Sequence, residues 1–485
     1  MNQSQQKTHS VTSGLFWRFG ERIITQGVTF IVSLVLARLL MPEDYGAIAI
    51  ILIFIDIAST FVVSGLSTAL IQKKEITPLE ISTVFYCNLG LSVILYWVLF
   101  FCAPLIAHAY SLPILIPTTR VFALQLPVSA FQSIQTALIS RELNFKKLFL
   151  GTIVGTICSA AIGILMALKG FGVWALVAQS LTCTIISSLI LTIVVRWHPI
   201  RQFSFRVAKP LIQFGWKILV ADLVAAISNQ FSSLIIGAKY TTADLAYYTK
   251  GKQLPQIIRT NLYNTLISVL FPAMTHVNSN LEQLKAFSKK SLRILCYVTC
   301  PLMIGLMAVS HNLVLVLYTE KWIQMTPFMS IICIECLLAI PPTIFLQALK
   351  AIGKSDIMLK LEFIKKPLLI ISILVAMQYG VFAVALTLPI NTCIDLFLTG
   401  YYSGKLFNYS VWEQLKDSLP AVLLSMAMFI CVKLIGLLSI PAFPLLILQC
   451  LCGMVVYVVL SIITRNKEFS YLWQMIRRRF LHKET

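Results

Sequence analysis

Apolar runs of about twenty residues or more recur along this 485-residue chain, each parted from the next by a short polar or basic segment. A membrane span takes about 20 mostly apolar residues. On that measure the pattern predicts an all-α integral membrane protein with about fourteen transmembrane helices. They cover 14–40, 46–71, 83–107, 114–140, 148–168, 172–195, 211–238, 246–275, 291–310, 326–349, 357–378, 381–403, 417–438 and 441–463. The connections are short. A membrane glycosyltransferase or polymerase needs a sizeable outer loop with catalytic carboxylates, so an enzyme is not expected.

Polar positions inside the runs form rows. At 100° per residue, side chains three, four and seven apart share a helix face. In 14–40, Arg18, Arg22, Thr25, Gln26, Thr29 and Ser33 fall on one side, and Ile24, Ile31 and Val35 on the other. Arg38 points away from that row near the far end, as an interfacial anchor does. In 246–275, Lys252, Gln256, Arg259 and Tyr263 form a row through a kink expected at Pro255. Arg259 lies about fourteen residues into its span, roughly 20 Å at 1.5 Å per residue. A central Arg costs about 2.5–3.5 kcal/mol on insertion scales, so it requires water, a partner or an anionic ligand.

Four further rows combine Asp56, Thr60 and Ser67; Gln125, Ser129, Gln132 and Thr136; Asp222, Asn229 and Ser233; and Thr387, Asn391, Asp395 and Thr399. Glu335 stands alone in mid-span. The uncharged rows suit sugar hydroxyls, and they equally suit hydrogen bonding between helices. Asp56, Glu335, Asp395 and Asp222 are candidates for a coupling H+ or Na+, and the same acids suit pairing with a buried Arg or Lys. Gly151, Gly155, Ser159 and Gly163 need only close helix packing.

Composition agrees with the pattern. The chain is 58% apolar and 12% charged, with a mean hydropathy of +0.85, whereas soluble domains carry about 25% charged residues. The net charge of +20 is mostly topological signal. With the N-terminus inside, the outer loops hold only Lys169, Lys239 and Lys321, and the inner segments are crowded with Lys and Arg. That places both termini in the cytoplasm and supports an even number of spans. No stacking or base-reading motif accompanies the charge, so no nucleic-acid partner is expected. The polar first thirteen residues lack a cleavable-signal pattern, which predicts that the first span is retained. The twelve cysteines lie mostly in apolar runs and read as small packers; the six histidines lie near span ends, so neither a metal nor another cofactor is expected.

A weak internal repeat appears at an offset of about 200 residues. "FWRF" at 16–19 resembles "GWKI" at 215–218, and "LARLLMPEDYGA" at 36–47 resembles "GAKYTTADLAYY" at 237–248. It suggests two pseudo-symmetric six-helix lobes around a central cavity, 1–195 and 211–403, joined by a basic cytoplasmic linker at 196–210. Two C-terminal helices (404–464) and a basic tail (465–485) follow.

Several helix-end segments carry a family resemblance. "LARLLMPEDYG", "LIQKKEITPLEISTVFYCNLG" at 70–90, "LISRELNFKKL" at 138–148 and "VLFPAMTHVNSNLEQLK" at 269–285 are similar to bacterial polysaccharide flippases. These belong to the multidrug/oligosaccharidyl-lipid/polysaccharide exporter superfamily, and the nearest branch is the colanic-acid-exporter-like one. The likeness runs from about residue 12 to 400 and identifies the family better than the substrate.

The resemblance implies a flippase that moves undecaprenyl-diphosphate-linked oligosaccharide from the cytoplasmic to the periplasmic leaflet of the inner membrane, in O-antigen, capsule or exopolysaccharide assembly. A polysaccharide polymerase and chain-length machinery are the implied protein partners. On that reading Arg22 and Arg259, helped by Arg18 and Lys252, hold the diphosphate. Gln125, Gln132, Gln256, Asn229, Asn391 and Tyr263 then line the path of the sugars. A flippase of a lipid-linked peptidoglycan precursor is the near alternative. A multidrug or cation antiporter is more distant, because an organic-cation site is lined by acids and here the buried bases outnumber them.

Overall fold

The computed structural model describes residues 3–73, 76–142, 144–276 and 280–481, and among these every regular element is a helix. Lys74, Glu75, Leu143 and 277–279 of the quoted segments lie outside the described residues. Among the described residues, eleven helical stretches are long and apolar enough to cross a membrane, one of them the interrupted stretch Glu320–Ala351. Three of the fourteen expected spans fall short for identifiable reasons. The run 114–140 divides into two shorter helices, Leu115–Phe122 and Gln125–Glu142. The run 246–275 holds Lys250, Lys252 and Arg259, and 357–378 holds Lys360, Glu362, Lys365 and Lys366.

The chain packs as two compact units, one ending at Ala246 and the other beginning at Tyr247. The first contains α1 (Gln3–Leu39), α2 (Pro42–Val63), α3 (Leu66–Gln72), α4 (Pro78–Ala109), α5 (Leu115–Phe122), α6 (Gln125–Glu142), α7 (Phe145–Leu168), α8 (Val173–Val195), α9 (Phe205–Lys239) and the first turn of α10 (Thr242–His276). At its centre is α2, which touches α4, α5, α6, α8 and α9 and buries Ile50, Ile51, Ile53 and Ile55. Lipid offers no water to exclude, so helices here gain from close packing and favour small residues. The α7–α8 seam follows that rule: a Cβ on Gly155 would sit 2.9 Å from the Cys183 carbonyl oxygen, and one on Gly163 would sit 3.0 Å from Gln179 Cβ.

The helix-end segments act as caps. Asp44 accepts a hydrogen bond from the Met41 amide at 3.2 Å, across the two-residue turn between α1 and α2. Two hundred residues later, a turn of the same length joins α9 to α10, and Asp244 accepts from the Thr241 amide (3.2 Å) and hydroxyl (2.7 Å). The first turn of α2 approaches the Thr242 backbone so closely at Gly46 that no Cβ fits there. Further inward, Gly65 (φ +81°) abuts Gly215, where a Cβ would lie 2.8 Å from the Gly65 carbonyl carbon. In this structure α9 therefore packs along α2, α3 and α4. Arg141 donates to the carbonyls of Leu70 (2.7 Å), Ile71 (3.4 Å) and Lys73, closing the C-terminus of α3. Thr77, Pro78 and Glu80 build a capping box that starts α4, with Glu80 also paired to Lys73.

The second unit contains the rest of α10, then α11 (Leu281–Leu317), a 3-10 turn (Glu320–Met325), α12 (Thr326–Leu338), α13 (Ile340–Ala351), α14 (Ser355–Ala376), α15 (Val381–Phe407), α16 (Val411–Ile435), α17 (Ala442–Ile463) and α18 (Lys467–Leu481). Here α11 is the central post, in contact with α12, α13, α15, α16, α17 and α18. All twelve cysteines are free thiols, and Cys296, Cys300, Cys333 and Cys336 are buried.

Candidate functional site

In the second unit, α10 presents Lys252, Gln256, Arg259 and Tyr263 in the expected row. Arg259 Nη1 donates to Glu335 Oε1 of α12 at 2.7 Å, with 29% and 15% of the two side chains exposed. One turn on, the Tyr263 hydroxyl donates to the Cys336 carbonyl at 2.9 Å. The acid expected to stand alone, Glu335, is thus the partner of the Arg259 of the α10 row. The Arg259 side chain stays partly exposed while it makes this contact. Lys252 Nζ lies 5.0 Å from the centroid of the Tyr248 ring, and Gln256 is half-buried.

The row on α15 is engaged by protein. Asn391 donates to Ser372 Oγ and to the Thr387 carbonyl, both at 2.7 Å. Asp395 lies 3.2 Å from Lys365 Nζ of α14, an ion contact without hydrogen-bond alignment. Lys365 also meets Glu362 at 3.1 Å. Thr387 and Thr399 bond back to carbonyls of their own helix. Asn391 and Asp395 therefore join α14 to α15 in this state.

The first unit leaves its rows more open. Arg22, Asp222 and Asn229 are exposed; Arg18 lies in α1, its side chain outside those described. Asp56 is exposed and accepts from Gln230 Nε2 of α9 at 3.0 Å, a partner 174 residues away that sequence reading did not find. The left-handed turn at Gly65 separates Ser67 from Asp56 and Thr60. Ser67 is buried and receives the Asn88 amide at 3.2 Å. Gln125, Ser129, Gln132 and Thr136 form a half-buried face of α6, with Gln125 Oε1 buried and without a hydrogen-bond partner.

Two expected spans are broken near these residues. The 114–140 run breaks at Ala123–Leu124, just before Gln125, and the 326–349 run breaks at Ala339, four residues after Glu335. Pro341 and Pro342 open α13; having no amide hydrogen, they leave the helical bonds to Leu337 and Leu338 unmade. Broken helices in corresponding positions of two halves are a pointer to transporter binding sites.

Sequence reading also missed a polar network at the expected inner ends of α11 and α16. The buried Asp417 accepts from Arg293 Nη2 (2.7 Å) and Nε (3.1 Å) and from the Tyr409 hydroxyl (2.9 Å), with Lys289 Nζ at 3.5 Å. Burial, and then the bond to Asp417, push the Tyr409 phenol above its ordinary range, so it stays a donor. Basic residues at helix ends read as orientation signals, and nothing in their spacing points to an acid 124 residues away.

Among relatives, the succinoglycan biosynthesis transport protein ExoT of Rhizobium meliloti (strain 1021) is 24% identical over 349 residues, 72% of this chain and 71% of ExoT. The lipopolysaccharide biosynthesis protein WzxC of Escherichia coli (strain K12) is 24% identical over 438 residues, 87% of this chain and 88% of WzxC. Among solved structures, the inward closed conformation of the lipid II flippase MurJ superposes with a TM-score of 0.72 at 17% identity. It covers 92% of this chain and 99% of MurJ, a likeness of fold. The family model described as "Polysaccharide biosynthesis protein" matches residues 35–327, more than half of the sequence, and the chain belongs to that family.

Proposed function

We propose that this protein is a flippase that carries undecaprenyl-diphosphate-linked oligosaccharide from the cytoplasmic to the periplasmic leaflet of the bacterial inner membrane, by alternating access, in cell-surface polysaccharide assembly. Both termini are cytoplasmic, and the two six-helix lobes 1–195 and 211–403 do the rocking. Family membership supports the pathway, and a fold shared with a lipid II flippase supports the type of movement. The observation that carries the substrate class is Arg259, a partly exposed arginine midway along α10 in a row with Lys252, Gln256 and Tyr263. A diphosphate bearing sugars is anionic and polyhydroxylated, and charge-assisted contacts to Arg are the strong ones available to it.

Arg22 and Lys252 complete the cationic set, with Arg18 as the fourth member. Gln125, Gln132, Gln256 and Asn229 face the sugars. In this structure Glu335 occupies Arg259; diphosphate oxygens compete for the same donors, and Glu335 is then free to take H+ or Na+. Asp56 and Asp222 are the remaining acceptors for a coupling ion.

The test is a deletion strain lacking any second flippase. It should lose surface polymer and accumulate lipid-linked oligosaccharide facing the cytoplasm. Undiminished polymer would overturn the assignment. Rescue of a peptidoglycan-precursor flippase mutant, with polymer unaffected, would transfer it to the other lipid-linked substrate.

A further inference from the structure

The final helix has chemistry that neither the fold nor the proposed transport uses. The span α17 ends at Ile463, and α18 begins at Lys467 after three residues. Arg465 adopts a left-handed conformation (φ 48°), and Asn466 Oδ1 accepts from the amides of Glu468 (2.9 Å) and Phe469 (3.1 Å). The chain therefore turns where the apolar helix α17 ends and starts a new helix there. Phe469 and Leu472 pack against the cluster that contains Tyr297 from the middle of α11 and Tyr457 near the end of α17. Lys290 Nζ of α11 lies 4.1 Å from the centroid of the Tyr471 ring. These contacts hold the first two turns at the level of the span ends.

The rest of α18 is amphipathic by sequence. At 100° per residue, Phe469, Leu472, Trp473, Ile476 and Phe480 share one side; Lys467, Ser470, Gln474, Arg477 and Arg478 share the other. Trp473 is 59% exposed, and Arg477 is exposed and followed in sequence by two more arginines. At the start of α16, Trp412 is 70% exposed and Lys416 is exposed, whereas the adjoining acid Asp417 is taken up by Arg293, Lys289 and Tyr409. A basic amphipathic helix with exposed Trp, tethered at a span end, matches the chemistry of an interfacial helix.

We propose that α18 is a lipid-surface helix that seats Trp473 among the headgroups and binds anionic phospholipid through Arg477, Arg478 and Arg479. The leaflet is the cytoplasmic one, which rests on the orientation proposed above; lipid binding itself does not. Each basic side chain near an anionic surface contributes about fivefold in affinity, so removing three reduces the preference for anionic lipid about a hundredfold.

The experiment uses the full chain in vesicles containing dibrominated phosphatidylglycerol or dibrominated phosphatidylcholine. Tryptophan fluorescence of the wild type is compared with that of Trp473→Phe to isolate Trp473. We expect Trp473 to be quenched in both vesicles, more at low salt in the anionic one, and the anionic preference to vanish in the triple variant Arg477→Gln/Arg478→Gln/Arg479→Gln. An unquenched Trp473 would overturn the proposal and assign the helix to a protein partner. Equal quenching in both lipids, indifferent to salt, would overturn the anionic site. Labelling of the Glu484→Cys variant by a membrane-impermeant thiol reagent in intact cells, compared with the wild type, separately tests the leaflet.

Discussion

The Arg259–Glu335 pair separates a structural role from a substrate role through four proteins: wild type, Arg259→Gln, Glu335→Gln and the double variant. The pair closes at 2.7 Å with 29% and 15% of the side chains exposed. Charge centres about 4 Å apart attract by roughly 4 kcal/mol at an effective dielectric of 20. Removing one member of a buried pair costs about 3–5 kcal/mol, because the other is left uncompensated. The partial exposure of Arg259 lets solvent recover some of this, so about 2–3 kcal/mol is the expected loss for either single variant. The double variant leaves no orphaned charge, and two carboxamides can still bond across the gap, so most of that stability returns. Unfolding in detergent measures this arm of the cycle, and polymer export in the deletion strain measures the other. If Arg259 binds diphosphate, the double variant is stable yet fails to export. Wild-type export by the double variant would refute the phosphate role and leave the pair as a structural link.

Other expectations follow from single contacts. Gly46→Val places a side chain against the Thr242 backbone and should abolish a stable fold, whereas Gly20→Ala, with nothing within 4 Å, should be tolerated; equal accumulation of both in the membrane would contradict the close approach. Asp417→Asn removes the acceptor shared by Arg293, Lys289 and Tyr409, and should lower stability by about 2–4 kcal/mol in detergent unfolding. An unchanged unfolding midpoint would show that the network contributes nothing. Arg141→Gln leaves carbonyls at the end of α3 without their donor, about 1–3 kcal/mol on the same measurement, with export per folded molecule unaltered. A loss of export in fully stable Arg141→Gln protein would move Arg141 from capping into transport.

Hydropathy made the helices legible, because a span is a local property of about 20 residues. It missed the breaks at Ala123–Leu124 and Ala339, where a continuous apolar run hides two helices. The faces of α10 and α6 were legible too, since 100° spacing survives in the folded helix. Pairings were not. Periodicity says that Glu335 and Arg259 are buried anomalies but cannot say that they meet. For Asp56 it offered two row-mates, Thr60 and Ser67, and missed Gln230 on a distant helix. The α15 row shows the converse: its spacing resembles a ligand-facing stripe, yet Asn391 and Asp395 are engaged with α14, a use that a one-dimensional pattern does not distinguish. The family segments were informative because they are caps and turns, whose residue requirements are local.

The paired prolines at the start of α13 bear on stiffness. A helix resists bending through hydrogen bonds that must lengthen on its outer side. At Pro341 and Pro342 those bonds are missing before any bending begins, so the α12–α13 junction is more compliant than the stretch 302–317 of the neighbouring α11, which has no internal proline. Glu335 lies on one side of the soft point and Lys350 on the other. Displacement of one end of this span is therefore weakly transmitted to the other. A carrier that must loosen one mouth while the opposite mouth stays shut needs such a mechanical disconnect, and in the second unit the backbone supplies it within a few residues of Arg259's partner.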